Sequence, residues 1–304
     1  MFDILVPETG RLRLPRINAA LLAGVVLGGL ILLAAIAAPL VAGWLGHGPN
    51  EQFRTTGLDM MGLPVGPGAE FPLGSDGFGR DVLVRTLYGT RVSLLVGVPA
   101  TALALLIGTA IGLVSGWSRG WGDRLLGRFM DVVLAFPFVL TALALATLNR
   151  GPDGLPRISP ELLVTIVIAL FSWIYFARLV RGLVKALRSG PMVEAAQVSG
   201  ARMLEIFRTE ILPVVAPKLV VFWAVQLPVN IVAEATLSFL GVGIAPPTPS
   251  LGNMIAEAQR SGLYQEQVWL LLAPGLALFL TVAAANLLAA GLRSQLDPHD
   301  AQRG

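Results

Sequence analysis

Reactive side chains are scarce in this chain, and their placement limits the chemistry open to it. The 304 residues include no cysteine, which removes disulfides and thiolate nucleophiles. The two histidines, His47 and His299, stand far apart, so no zinc-type ligand set is expected. A membrane-embedded enzyme needs a convergent set of catalytic groups, and the apolar segments hold no cluster of histidine, cysteine or carboxylate. One ionisable residue, Glu234, does lie at the end of an otherwise apolar run. A carboxylate in that setting is a functional candidate. Asn230 and Gln226 precede it by one and two helical turns, so the three can share a face. Two readings stay open: they line a path for a polar solute, or Glu234 bridges structure at the "SFLGVG" bend.

Two further stretches concentrate charge. "GSDGFGRD" holds Asp76, Arg80 and Asp81. It is glycine-rich but has no phosphate-loop spacing. Ser75 to Tyr88 reads as a surface helix capped by Ser75 or Asp76, with Asp81 and Arg85 paired four apart. The second stretch is "EAAQVSGARMLEIFRTEILP", from Glu194 to Pro213. Pro191 suits a helical first turn, and Glu194 in that turn meets the positive end of the helix dipole. Gly200 suits a left-handed stop. An amphipathic segment follows, with Leu204, Phe207 and Ile211 on one face and Arg202, Glu205 and Arg208 elsewhere. Pro213 is expected to begin the next long helix. The segment reads as helix, glycine turn, helix, serving either as a solvated connector or as a docking element for a soluble partner.

These residues must be positioned by apolar elements. Only 13% of the chain is charged and its mean hydropathy is +0.73, against about 25% charged in ordinary soluble domains. Runs without Asp, Glu, Lys or Arg extend over 17–50, 92–118, 132–149, 162–177, 219–233 and 267–292. The shorter ones lengthen past snorkelling arginines, and the fifth continues past Glu234 to about Leu240. About 20 apolar residues make a span, so an all-α integral membrane protein with six transmembrane helices is expected. The first apolar core exceeds a signal-peptide core and reads as an uncleaved anchor. Asp131 is expected to start the third helix and pair with Arg128 or Arg124. Asn286 is expected to bond between helices. Arginine and lysine fall mostly on one side, which places both termini in the cytoplasm. The main exceptions, Arg80, Arg85 and Arg91, lie in or beside a long loop. The basic residues are spread between apolar segments, which argues against nucleic acid as a partner.

At this point the sequence resembles a known family. "EAAQVSG" at Glu194 to Gly200, with "LP" at Leu212 and Pro213, is similar to the EAA loop of permease subunits in binding-protein-dependent ABC importers. Five other blocks resemble its dipeptide, oligopeptide and nickel branch, and the second of the two permease types these systems pair. They are Leu73 to Gly97, "RFMDVVLAFP" from Arg128, "FARLVRGLV" from Phe176, "AEATLSFLGVGIAPPTPSLGNMI" from Ala233, and "LRSQLDP" from Leu292 to Pro298.

The resemblance implies a type I ABC importer permease fold in a bacterial inner membrane. It divides the chain into an anchor and outer loop at 1–72, a permease core at 73–298 with the coupling loop at 189–213, and a tail at 299–304. It implies four partners besides lipid: a second permease, two ATPase subunits and a periplasmic solute-binding protein. ATP and magnesium would reside on the ATPases, and no cofactor on this chain. No G-x-x-x-x-G-K-[ST] occurs in the sequence, so this chain carries no P-loop. Coupling would fall to Glu194, Ala195, Ala196, Gly200, Arg202 and Arg208. The loop with Asp76, Arg80 and Asp81 would meet the binding protein or brace the second permease. Peptides or similar small solutes are the expected cargo. The alternative is a secondary transporter or channel independent of an ATPase, which needs ionisable groups at midplane, and only Glu234 comes near.

Overall fold

The structure, a computed structural model, describes residues 18–296. Arg11, Arg13, Arg16, His299 and the tail expected at 299–304 lie outside the described residues. Among those described, the chain is helical, with isolated bridges only in its loops. In order come α1 (Ala19–Leu45), α2 (Val82–Trp117), α3 (Trp121–Ala135), α4 (Phe138–Leu148), α5 (Pro160–Leu187), α6 (Pro191–Val198) and α7 (Met203–Ile206). A π-helical turn (Phe207–Ile211) leads into α8 (Leu212–Phe239), followed by α9 (Leu251–Ser261) and α10 (Trp269–Leu296).

Five apolar helices are each long enough to cross a membrane: α1, α2, α5, the continuous helix Met203–Phe239, and α10. α3 and α4 together pass the same test as a pair bent by 78°, which makes six crossings when the pair is counted as one. Helices satisfy their own backbone groups, which is why apolar runs of this length take that form in lipid. The third span departs from expectation. It starts at Trp121 rather than Asp131 and breaks at Phe136, whose extended backbone (φ −76, ψ 128) precedes Pro137. A proline disfavours helical geometry in the residue before it and supplies no N–H.

With the bent pair counted as one crossing, the spans alternate. Loops 46–81, 149–159 and 240–268 gather at one end, called here the far end. Segments 118–120 and 188–211 gather at the near end. Asn18 caps α1 and its Nδ2 donates to Ser294 Oγ at 2.8 Å, so both described ends of the chain meet at the near end.

The most extensive helix pair is α2 with α5. Gly108, Gly112 and Gly116 form a stripe at four-residue spacing along α2. A Cβ on Gly112 would lie 2.6 Å from Val180 Cβ, and one on Gly116 2.7 Å from Val184 Cβ. Without a side chain there, the two backbones approach closely, as is common between helices in membranes. Buried Ile174, Phe176, Val180 and Val184 of α5 continue this core toward the near end. Asn286 bonds within its own helix, its Nδ2 donating to the Val282 carbonyl at 3.0 Å. The expected interhelical bond is not made, because the amide reaches its own preceding turn.

Candidate functional site

Three polar features stand out from this apolar frame. The first is the near-end segment. α6 starts with Pro191 at its first turn and carries Glu194 there. Its C-terminus is closed by Gly200, at φ 81. Gly200 N donates to the Gln197 carbonyl and Ala201 N to the Ala196 carbonyl, both at 3.0 Å. This pair of bonds is a Schellman closure, which needs a left-handed residue at the glycine position. Val193, Ile206 and Ile211 are buried and join the core formed with Val180 and Val184. Glu194, Ala195, Arg202 and Arg208 are exposed, and Ala196 is half-buried. Val198 is 89% exposed and Leu204 69%.

One expectation changes here. Leu204 does not share the buried face; Ile206 takes its place beside Ile211, while half-buried Phe207 packs edge-on to Trp117 at 5.2 Å. The cause is the π turn at Phe207–Ile211, whose extra residue shifts the helical phase. Pro213 marks the entry to the long helix, as expected. It sits in the first turn of α8, which continues directly from the π turn, so Met203–Phe239 is one unbroken helix.

Charges fasten this end. Arg188 Nη1 donates to the carbonyls of Gly116, Trp117 and Ser118 at 3.2, 2.9 and 2.9 Å, which satisfies carbonyls left over at the end of α2. Asp123 at the start of α3 accepts from Arg181 Nε at 2.7 Å and Lys185 Nζ at 2.6 Å. Asp131 pairs with Arg178 of α5 at 2.6 Å, not with Arg128 or Arg124. Those two lie on its own helix, whereas Arg178 reaches it from across the α3–α5 packing. Nothing local in the sequence marked Arg188 or Asp123 as anchors; their partners are about 60 to 70 residues away.

The second feature is the ladder on α8. Gln226, Asn230 and Glu234 do share a face, and all three are buried, with Asn230 at 1% and Glu234 at 0% exposure. Asn230 Nδ2 donates to Thr101 Oγ1 of α2 at 2.9 Å, and its Oδ1 accepts from Ser172 Oγ of α5 at 2.8 Å. Gln226 Nε2 lies 3.4 Å from Asn230 Oδ1. Ser93 Oγ of α2 donates to Glu234 Oε2 at 2.6 Å, and Ser238 Oγ donates to Glu234 Oε1 at 2.8 Å. The partners Ser93, Thr101 and Ser172 were missed in the sequence; their one signal was small hydroxyls within apolar spans.

The third feature is a far-end charge cluster. The expected surface helix from Ser75 is a loop, and α2 starts at Val82 with Asp81 as its cap, Val84 N donating to Asp81 Oδ1 at 3.0 Å. The two residues expected to cap the helix, Ser75 and Asp76, are committed elsewhere. Ser75 Oγ donates to the Gly57 carbonyl and accepts from Val65 N, and Asp76 Oδ1 accepts from the N–H groups of Phe78 and Arg80. Asp81 Oδ2 meets His47 Nδ1 at 2.7 Å rather than Arg85. Arg80 bonds Asp76 at 2.6 Å and Glu257 of α9 at 2.7 Å, and Arg85 lies 3.4 Å from Asp76. Arg80 and Asp81 are therefore buried inside the loop cluster instead of facing outward. Buried charges persist when paired in this way.

Residues 108–299, which include the near-end segment, match the family described as "Binding-protein-dependent transport system inner membrane component". The chain is similar to the "Glutathione transport system permease protein GsiD" of Pectobacterium atrosepticum, at 38% identity over 273 residues, covering 90% of this chain and 86% of the relative. The protein of that name from Escherichia coli O6:K15:H31 is 38% identical over 270 residues, covering 88% and 84%. A glycine-closed helix at the near end, five long apolar helices with a bent sixth pair and these matches agree: the chain belongs to the binding-protein-dependent transport system inner membrane components, as a multi-pass ABC-importer permease of the peptide and nickel branch.

Proposed function

We propose that this chain is one of two different permease halves in an ATP-driven importer of small peptide-like solutes, and that segment 189–213 is its contact with a partner ATPase. The observation that carries this reading is the form of the segment. It is pinned to the core from behind by Val193, Ile206 and Ile211, and it leaves Met192, Val198 and Leu204 uncovered. Exposed apolar groups on a rigid polar surface mark a site for a protein partner. Glu194, Ala195, Ala196, Gly200, Arg202 and Arg208 would form or flank that contact. ATP and magnesium would belong to the ATPases, both termini would be cytoplasmic, and the far end would receive the loaded binding protein. The division into 1–72, 73–298 and 299–304 follows the same reading. Glutathione, in the names of the relatives, is a small peptide and supports the solute class. The ladder Gln226, Asn230 and Glu234 braces α8 in this proposal rather than lining the path, because each of the three bonds inside the chain.

Gly200→Val tests the contact. A Cβ at Gly200 meets nothing within 4 Å, so the substitution acts through the backbone alone. A β-branched residue at this φ is disfavoured by about 1–2 kcal/mol. The variant is expected to insert and to pair with its partner permease, yet to lose retained ATPase and solute uptake. Gly200→Ala should fall between it and wild type. Full ATPase retention and uptake in Gly200→Val would leave the segment a mere connector.

A further inference from the structure

Glu234 is a costly occupant of its place. It is completely buried near the far end of α8, and its hydrogen-bond partners are the hydroxyls of Ser93 and Ser238. Burying a carboxyl group in apolar surroundings carries a penalty that a leucine of similar size would avoid. Its geometry accounts for its presence. One oxygen is held by α2 through Ser93, the other by Ser238, whose Oγ also accepts from Ile244 N at 3.0 Å. Asn253 of α9 then donates to the Ile244 and Thr248 carbonyls at 3.1 and 2.8 Å. An unbroken series of hydrogen bonds therefore runs from α2 through Glu234 to the 241–250 loop and α9. The other end of the same helix is the near-end segment, since Met203–Phe239 is continuous over 37 residues, about 55 Å at the helical rise.

We infer that Glu234 is a positioning residue that transmits displacement of the near-end segment to the far-end mouth. One oxygen fastens the tip of the α8 rod to Ser93 of α2, and the other orients Ser238 of the same helix, whose hydroxyl holds Ile244 N of the 241–250 loop. This inference rests on the reading of 189–213 as the ATPase contact. An isosteric glutamine keeps one acceptor and supplies an N–H that the second serine can accept. A leucine keeps the volume and makes neither bond.

The absence of cysteine in this chain permits a direct test that needs no solute. In the assembled complex, with its other subunits made cysteine-free, spin labels are placed in pairs on exposed positions. One pair sits at Val214 and Ala186 near the contact, the other at Leu240 and Leu162 at the far end. Distances are measured without nucleotide and after trapping with ATP and vanadate. In wild type, both pairs should change. In Glu234→Leu, the near pair should still change and the far pair should lose its change. Ser93→Ala should diminish the far change, and Glu234→Gln should restore it. An undiminished far change in Glu234→Leu overturns the inference, as does a Glu234→Gln as defective as the leucine variant. If Glu234→Leu does not assemble, Ser93→Ala decides, and an unaltered far change there overturns it. A wild-type near pair that ignores ATP and vanadate would instead refute the ATPase contact itself.

Discussion

Asp123 holds two cations of α5 at once, Arg181 at 2.7 Å and Lys185 at 2.6 Å. The first turn of α3 is thereby tied to the last turns of α5, just behind the near-end segment. The groups are partly exposed, so each pair is worth no more than about 1 kcal/mol. Asp123→Ala also leaves two like charges facing each other. We expect Asp123→Ala to lower the thermal unfolding midpoint of the purified complex slightly, while Asp123→Glu stays closer to wild type. An Asp123→Ala midpoint equal to wild type would mean that the anchor carries no stability.

The α2 glycine stripe makes a sharper claim. A Cβ at Gly112 would lie 2.6 Å from Val180 Cβ and 2.8 Å from the Ala177 carbonyl oxygen. Overpacking of this kind costs about 1–3 kcal/mol. Gly112→Val should reduce the yield of monodisperse protein severely, and Gly112→Ala should reduce it less. Gly182→Ala is the matched control, because nothing lies within 4 Å of a Cβ there. Equal yields for Gly112→Val and Gly182→Ala would show that α2 and α5 do not pack this closely.

At the far end, Asp81 serves as cap to α2 and as partner to His47, which stacks on Phe71 with ring centroids 4.9 Å apart. Loss of the cap costs about 1 kcal/mol, and the orphaned imidazole adds more. Asparagine also caps helices well. Asp81→Ala should therefore open loop 46–81 to limited proteolysis, with Asp81→Asn much less affected. Equal protection in both variants would assign the loop's order to the Arg80, Asp76 and Glu257 cluster instead.

Orientation can be read by labelling. Met60 is fully exposed at the tip of the far-end turn, and Val198 is exposed on the near-end segment. In whole cells with a permeabilised outer membrane, an impermeant maleimide should label Met60→Cys. It should reach Val198→Cys only after the inner membrane is opened. The reverse pattern would turn the protein over and remove the ATPase contact from the cytoplasm.

What the sequence disclosed follows from the range of the interactions. Spans are governed by local apolarity, and the charge-free runs located them well. The α6 closure was equally plain, since Pro191, Glu194 and Gly200 act through their own backbone neighbours. The start of α3 was hidden because Asp123, Arg124 and Arg128 interrupt its apolarity, and Asp123 is neutralised from α5. The cap of α2 was expected at Ser75 or Asp76 and is Asp81. Asp81 holds that place because Gly57 and Val65 claim Ser75, a choice made by residues 10 to 18 positions away in the chain. The common face of Gln226, Asn230 and Glu234 was evident from their spacing, but their partners on α2 and α5 were not.

The π turn at Phe207–Ile211 also sets the phase of everything beyond it. It inserts about one residue into the helical count, which rotates later side chains by about 100° relative to an uninterrupted α-helix. Ile206 and Glu234 thus face their separate neighbours from one continuous rod only because the phase is reset between them. A single-residue deletion within 207–211 would keep α6, its Gly200 closure and a spanning length of apolar helix. It would nevertheless turn Asn230 and Glu234 away from α2 and α5, so the length of this stretch is as strictly specified as the residues in the ladder.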